Sequence, residues 1–166
     1  MKLSQTKELY ICSIKRLYLE LDENLKDKKT IAVLLSMEEA EHLKLKPLDA
    51  YLKVEVFDTE LEDKPFSFNF GEALKIKEFL DEKNDFERLY VCCDSGESRS
   101  TAVAAAVMRY YGKNDKEIWI NPHYHPNMLV YREQCRAFGK RAPKLKLRYL
   151  KRINDKALRR KINSNR

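Results

Sequence analysis

Residues 88–111 read RLYVCCDSGESRSTAVAAAVMRYY. The run from Leu89 to Cys93 is apolar without interruption, the pattern of a strand covered on both faces. From Arg99 to Tyr111 the composition is alanine-rich and helical, and Gly112 supplies a stop signal. A short loop with Gly96 at its middle separates the two. A buried strand turning directly into a helix belongs to a sheet with crossover helices. In such folds ligands bind at the carboxyl ends of strands, which is where CDSGESRS lies.

The flanking sequence extends this pattern. LYICSI (9–14), TIAVLLS (30–36) and YLKVEVFD (51–58) read as further strands, the second a buried run and the third alternating. KRLYLELDENL (15–25) fits a helix or an irregular crossover, and MEEAEHLK (37–44) has helical composition ending before Pro47. FNFGEALKIKEFLDE (68–82) carries Phe70, Leu74 and Phe79 or Leu80 at helical spacing. PNMLVYREQCRAF (126–138) reads as a helix with Pro126 at its first position and Gly139 past its end. PKLKLRYLKRINDKALRRKI (143–162) reads as a final helix with Leu150, Ile153, Ala157 and Leu158 on one stripe. The expectation is an α/β fold: a mostly parallel central sheet of about four or five strands, flanked by helices on both faces.

Charge divides the chain unevenly. Residues 140–166 hold 12 Lys and Arg against one acid, Asp155, for +11, whereas residues 1–139 hold 21 basic and 25 acidic residues, for −4. The expected division is therefore a domain over 1–139 and a basic helical tail over 140–166. Such a tail attracts nucleic acid, anionic lipid or acidic protein without specificity, or is simply a solvated helix. No apolar run is long enough to span a membrane, and MKLSQTKELYICS lacks a signal-peptide core. The expected location is cytoplasmic, where Cys12, Cys92, Cys93 and Cys135 stay reduced. Without a CxxC pair, His123 and His125 give no recognisable zinc site, so neither metal nor cofactor is expected.

The opening loop has its own chemistry. Read from Cys93, it spaces a cysteine and an arginine by five residues. Backbone N–H groups of such a loop can converge as an anion nest, and the following helix adds partial positive charge. Gly96 admits a positive φ. Arg99 returns to the loop mouth, where its fork can hold two oxygens of a phosphate. Ser100 can donate a hydrogen bond to the Cys93 sulfur. A buried strand cysteine acting as a small hydrophobe is the plain alternative for Cys93, and it fits Cys92, which alternation turns into the core.

Cys93-x5-Arg99-Ser100 with Gly96 inside it resembles the active-site loop of cysteine-dependent protein tyrosine phosphatases, above all their small dual-specificity branch. YLKVEVFDTELED resembles that family's strand and general-acid loop, and Pro126-Asn127 with the following helix resembles its Pro-Asn helix. The resemblance spans roughly residues 9–139. It implies a protein phosphatase hydrolysing phosphotyrosine, and by extension phosphoserine or phosphothreonine, without a metal. Cys93 would be the nucleophile, forming a cysteinyl-phosphate. Asp94, Ser95, Gly96, Glu97, Ser98 and Arg99 would bind the phosphate, through backbone amides and the Arg99 guanidinium. Asp58 is the expected general acid, at the end of the third strand. Asp63 is its rival and Glu60 and Glu62 are weaker ones; no energetic argument separates them in the sequence.

There are departures. Cys92 stands where the family has histidine, which leaves a weak pseudophosphatase that binds phosphorylated partners as one alternative; a rhodanese-type sulfurtransferase, which also carries a cysteine on a strand-to-helix loop, is another. Asp94 and Glu97 put two acids in the loop; with both pointing outward they disfavour polyanionic substrates.

Overall fold

The computed structural model describes residues 1–23, 27–37, 45 and 47–164. Strands β1 (Glu8–Ser13), β2 (Thr30–Leu35), β3 (Ala50–Val54) and β4 (Arg88–Cys93) form one sheet in the order β1-β4-β2-β3. Every pairing is parallel, and Cys92 and Cys93 lie in register with Cys12 and Ser13 of β1 and with Leu34 and Leu35 of β2. The two apolar runs, β2 and β4, are the central strands and are buried on both faces.

Among the described residues six helices cover the sheet: α1 (Ile14–Glu23), α2 (Phe70–Glu82), α3 (Arg99–Tyr110), α4 (Lys116–Ile120), α5 (Met128–Ala137) and α6 (Lys144–Ser164). Helix α1 covers one face, where Ile14, Leu17 and Leu21 pack with Ala32, Leu34 and Cys92. The other helices share the opposite core with Ile31, Val33, Leu35, Val91 and Cys93. Helix α3 is buried from Arg99 to Met108. Its Ala104–Ala106 run has no side chain beyond Cβ, so the helix can approach the sheet closely while other helices pack around it.

Boundaries differ locally from the sequence reading. Strand β3 ends at Val54, and Glu55–Asp58 carry no ladder pairing, so Asp58 lies in the loop beyond the strand. Alternation persisted in the sequence because Val54 and Val56 are both buried, but pairing stops first. Helix α5 begins at Met128; Asn127 is its N-cap, its side-chain oxygen accepting from the Val130 N–H, and Pro126 precedes the cap. Residues 15–23 are helical within α1. The helix expected at 37–44 lies, beyond Met37, outside the described residues. Helix α4 had no expectation: one short turn and a half carries too little periodicity to read.

The basic segment packs. Leu150 and Ala157 of α6 are buried, and Asn154, 7% exposed, donates to the backbone oxygens of Trp119 (3.2 Å) and Tyr124 (2.8 Å). Trp119 is fully buried, edge-on to Tyr131, and both donate to the Asp115 carboxylate. Among the described residues no helix is long and apolar enough to cross a membrane.

Candidate active site

Cys93 ends β4 and Arg99 begins α3, so the loop joining the central strand to the central helix holds both. Gly96 adopts φ +77°. A Cβ there would stand 2.5 Å from the Cys12 carbonyl carbon and 2.5 Å from the Ser13 nitrogen, so glycine is demanded by conformation and by space. Two of the loop's carbonyls are engaged. Glu97 O accepts from the His125 N–H (2.8 Å) and the Thr101 hydroxyl (2.8 Å), and Ser98 O accepts from the Thr101 hydroxyl (2.7 Å). With these carbonyls engaged elsewhere, N–H groups are free for the loop's interior. The Gly96 N–H donates to Cys93 Sγ at 3.3 Å. Ser100 Oγ lies 3.1 Å from the same sulfur.

Arg99 is only 5% exposed. Its Nη1 donates to Val56 O (2.6 Å), fixing the guanidinium against the chain leaving β3. Its Nη2 donates to the Asp94 carboxylate, which corrects the expectation that Asp94 points away from the loop. The side chain is short enough to fold back on the guanidinium of its own loop, and an unneutralised buried arginine favours that contact. Glu97 is exposed, as anticipated. Arg99 Nε is buried with no hydrogen-bond partner and lies 3.8 Å from Asp58 Oδ2.

Asp58 is brought to the loop. Its Oδ1 accepts from Ser98 Oγ (2.8 Å) and from Asn127 Nδ2 (2.9 Å). Asn127 also donates to Thr59 O (3.1 Å). Two more acids hold the segment to α5: Glu60 accepts from the Met128 N–H (2.9 Å), and Glu62 pairs with Arg132 (2.9 Å). Asp63 is exposed and is not among the groups at the loop. Asn127, in the sequence visible only as the neighbour of Pro126, thus helps to position Asp58 together with Ser98.

Cys92 lies on the other face of the sheet. Its Sγ is 3.4 Å from Cys12 Sγ, in the core beneath α1. Hydrogen bonding with Cys12, together with burial, pushes the Cys92 thiol well above the usual range. All four thiols are free. Among the described residues no three His, Cys, Asp or Glu side chains group so as to hold a metal.

No protein-family model matches the sequence, and no curated protein matches it significantly. Solved structures do. The crystal structure of DUSP15 matches at a TM-score of 0.52 with 22% identity, over 92% of this chain and 94% of that one. Human DUSP28 follows at 17% identity and a TM-score of 0.47, over 96% and 98% of the two chains. The core catalytic domain of the PP-IP phosphatase SIW14 from S. cerevisiae stands at 18% identity and a TM-score of 0.48, over 98% and 91%. The likeness to DUSP15 rests on a shared architecture rather than a shared sequence: this chain has the fold of the small dual-specificity phosphatases.

Proposed function

We propose that this chain is a metal-independent phosphoric monoester hydrolase acting on phosphorylated proteins, with phosphotyrosine as the leading substrate. The observation that carries the reading is the buried Arg99 Nε, which makes no hydrogen bond, in a loop that also holds Cys93 Sγ against a backbone N–H. A buried donor without a partner is costly unless a ligand meets it. A phosphate oxygen suits a guanidinium fork.

The Cys93 sulfur, as thiolate, attacks phosphorus and the ester oxygen leaves. Arg99 and the amides of residues 94–99 hold the equatorial oxygens through the transition state. Asp58 protonates the leaving oxygen. In the second step Asp58 takes a proton from water as its oxygen attacks the cysteinyl-phosphate, and the sulfur departs. A hydrogen bond from Ser100 stabilises the departing thiolate. Free thiols suit a reducing compartment, and we place the activity in the cytoplasm.

The basic segment 140–166 gives this reading an electrostatic side: its charge favours an acidic protein substrate. Salt should then depress kcat/KM more for an acidic phosphopeptide than for a neutral one.

The deciding measurement is hydrolysis of an aryl phosphate with chelator present, by wild type and Cys93→Ser. Activity in the wild type and its loss in the variant are expected. Turnover that survives Cys93→Ser sinks the mechanism. Phosphopeptide binding without turnover would favour a pseudophosphatase, and thiosulfate-to-cyanide sulfur transfer a sulfurtransferase.

A further inference from the structure

We infer that Asp94 is a specificity-determining residue that competes with the substrate phosphate for Arg99. The inference rests on the phosphatase reading and deepens it. A guanidinium presents its Nε and Nη2 hydrogens side by side, a fork matched to two oxygens of one anion. In Arg99 the other nitrogen, Nη1, is committed to Val56 O. That leaves the Nε–Nη2 edge for a ligand. The Nε half of this edge makes no hydrogen bond, the Asp58 carboxylate standing off at 3.8 Å. The other half is taken by the Asp94 carboxylate.

Asp94 is thus an anion supplied by the loop itself, seated where one phosphate oxygen would go. Cys93 is fully buried and Arg99 nearly so, while the Asp94 side chain is 45% exposed and free to swing to solvent. A phosphate ester must displace Asp94 from Nη2 and then also gains Nε. Competition of this kind weakens every oxyanion by the fraction of time the fork is occupied. Weak anions with few other contacts lose most. Free phosphate, the product, lacks the extra contacts of a bound phosphoprotein, so Asp94 speeds product release and restricts action to substrates anchored elsewhere.

The test uses the full chain and inorganic phosphate, with binding measured by calorimetry in a Cys93→Ser background and as a competitive inhibition constant in the Cys93 enzyme. Asp94→Asn removes the charge and keeps an acceptor; Asp94→Ser removes most of the side chain; Asp94→Glu keeps the charge. Because Asp94 is half exposed, these substitutions should fold. The expected result is phosphate binding about tenfold tighter in Asp94→Asn and Asp94→Ser, the order expected of one charge-assisted hydrogen bond that is partly open to water. The same factor should appear in KM for an aryl phosphate. Asp94→Glu should stay nearer to wild type than either. Phosphate bound equally or more weakly by Asp94→Asn overturns the inference and makes Asp94 a support for Arg99. Absence of phosphate binding in wild type and variants alike overturns the phosphatase reading, and this inference with it.

Discussion

Asn127 Nδ2 donates to Asp58 Oδ1 across 69 residues of chain, while the Asn127 side-chain oxygen caps α5 by accepting from the Val130 N–H. One amide therefore ties the acid-bearing loop to the start of a buried helix. Asn127→Ala should lower kcat by roughly tenfold, a part of the 10²–10⁴ that a positioned acid contributes. The loss should be largest for poor leaving groups, which need the proton most. A loss equal across a leaving-group series would mean that Asn127 acts on folding alone. Removal of the cap should cost about 1 kcal/mol of stability besides.

Asp58 and Asp63 can be separated directly. Asp58→Asn should cost about a hundredfold or more in kcat on phenyl phosphate. Asp63→Asn should stay within about twofold, as exposed substitutions away from a site usually do. A larger loss at Asp63 would reverse the assignment.

Gly96 tolerates no side chain. Gly96→Ala places a Cβ within 2.5 Å of the Cys12–Ser13 backbone at a φ of +77°. The conformation alone costs about 1–2 kcal/mol, and the clash adds to it. Urea denaturation should show a loss of at least about 2 kcal/mol, with phosphate binding abolished. Unchanged stability with normal binding would show that the loop and β1 do not meet so closely.

Alkali should destabilise the protein. Cys92 is raised by its hydrogen bond with Cys12 and by burial, Cys135 by burial, and Tyr111 is pushed up to about 12, again by burial. In the unfolded chain thiols ionise near pH ~8.5 and tyrosine near ~10. Above those values the unfolded chain has released protons that the fold retains, so stability falls as pH rises. The urea midpoint should be flat from about pH 6 to pH ~8.5 and decline steadily toward pH ~12. A midpoint that climbs over this range would contradict the burial of these groups.

Asn154 anchors the basic helix. Asn154→Ala leaves the Trp119 and Tyr124 carbonyls without their donor, at a cost of about 1–3 kcal/mol. Trp119 is the sole tryptophan, so its emission reports the change. A red shift is expected as water reaches the indole; unaltered emission and melting would show α6 to be dispensable to the core.

The loop from Cys93 to Ser100 was legible because its chemistry is contiguous: strand run, glycine, arginine and helix follow one another in eight residues. The same holds for β2 and β4, whose apolar runs announce burial on both faces. Asp58 was nameable but not separable from Asp63, because the choice depends on hydrogen bonds to Ser98 and Asn127, far along the chain. The inward turn of Asp94 was not legible at all. An acid in a loop reads as solvated, and only the position of the Arg99 fork reveals a partner within reach. The burial of α6 was half legible: the apolar stripe was visible, but not the polar Asn154 among the buried groups.

Alternation along β4 sends the adjacent cysteines to opposite faces of the sheet. A cleft of about 450 Å³ is lined by Cys12, Ser13, Arg16, Gly96, Glu97 and Tyr124, with Cys93 not among its walls. Since Gly96 rests on the last peptide of β1, an electrophile anchored on the half-buried Cys12 would press on the loop from the rear. Such an inhibitor needs no phosphate-like charge. Loss of the inactivation in Cys12→Ser would distinguish it from alkylation of the nucleophile.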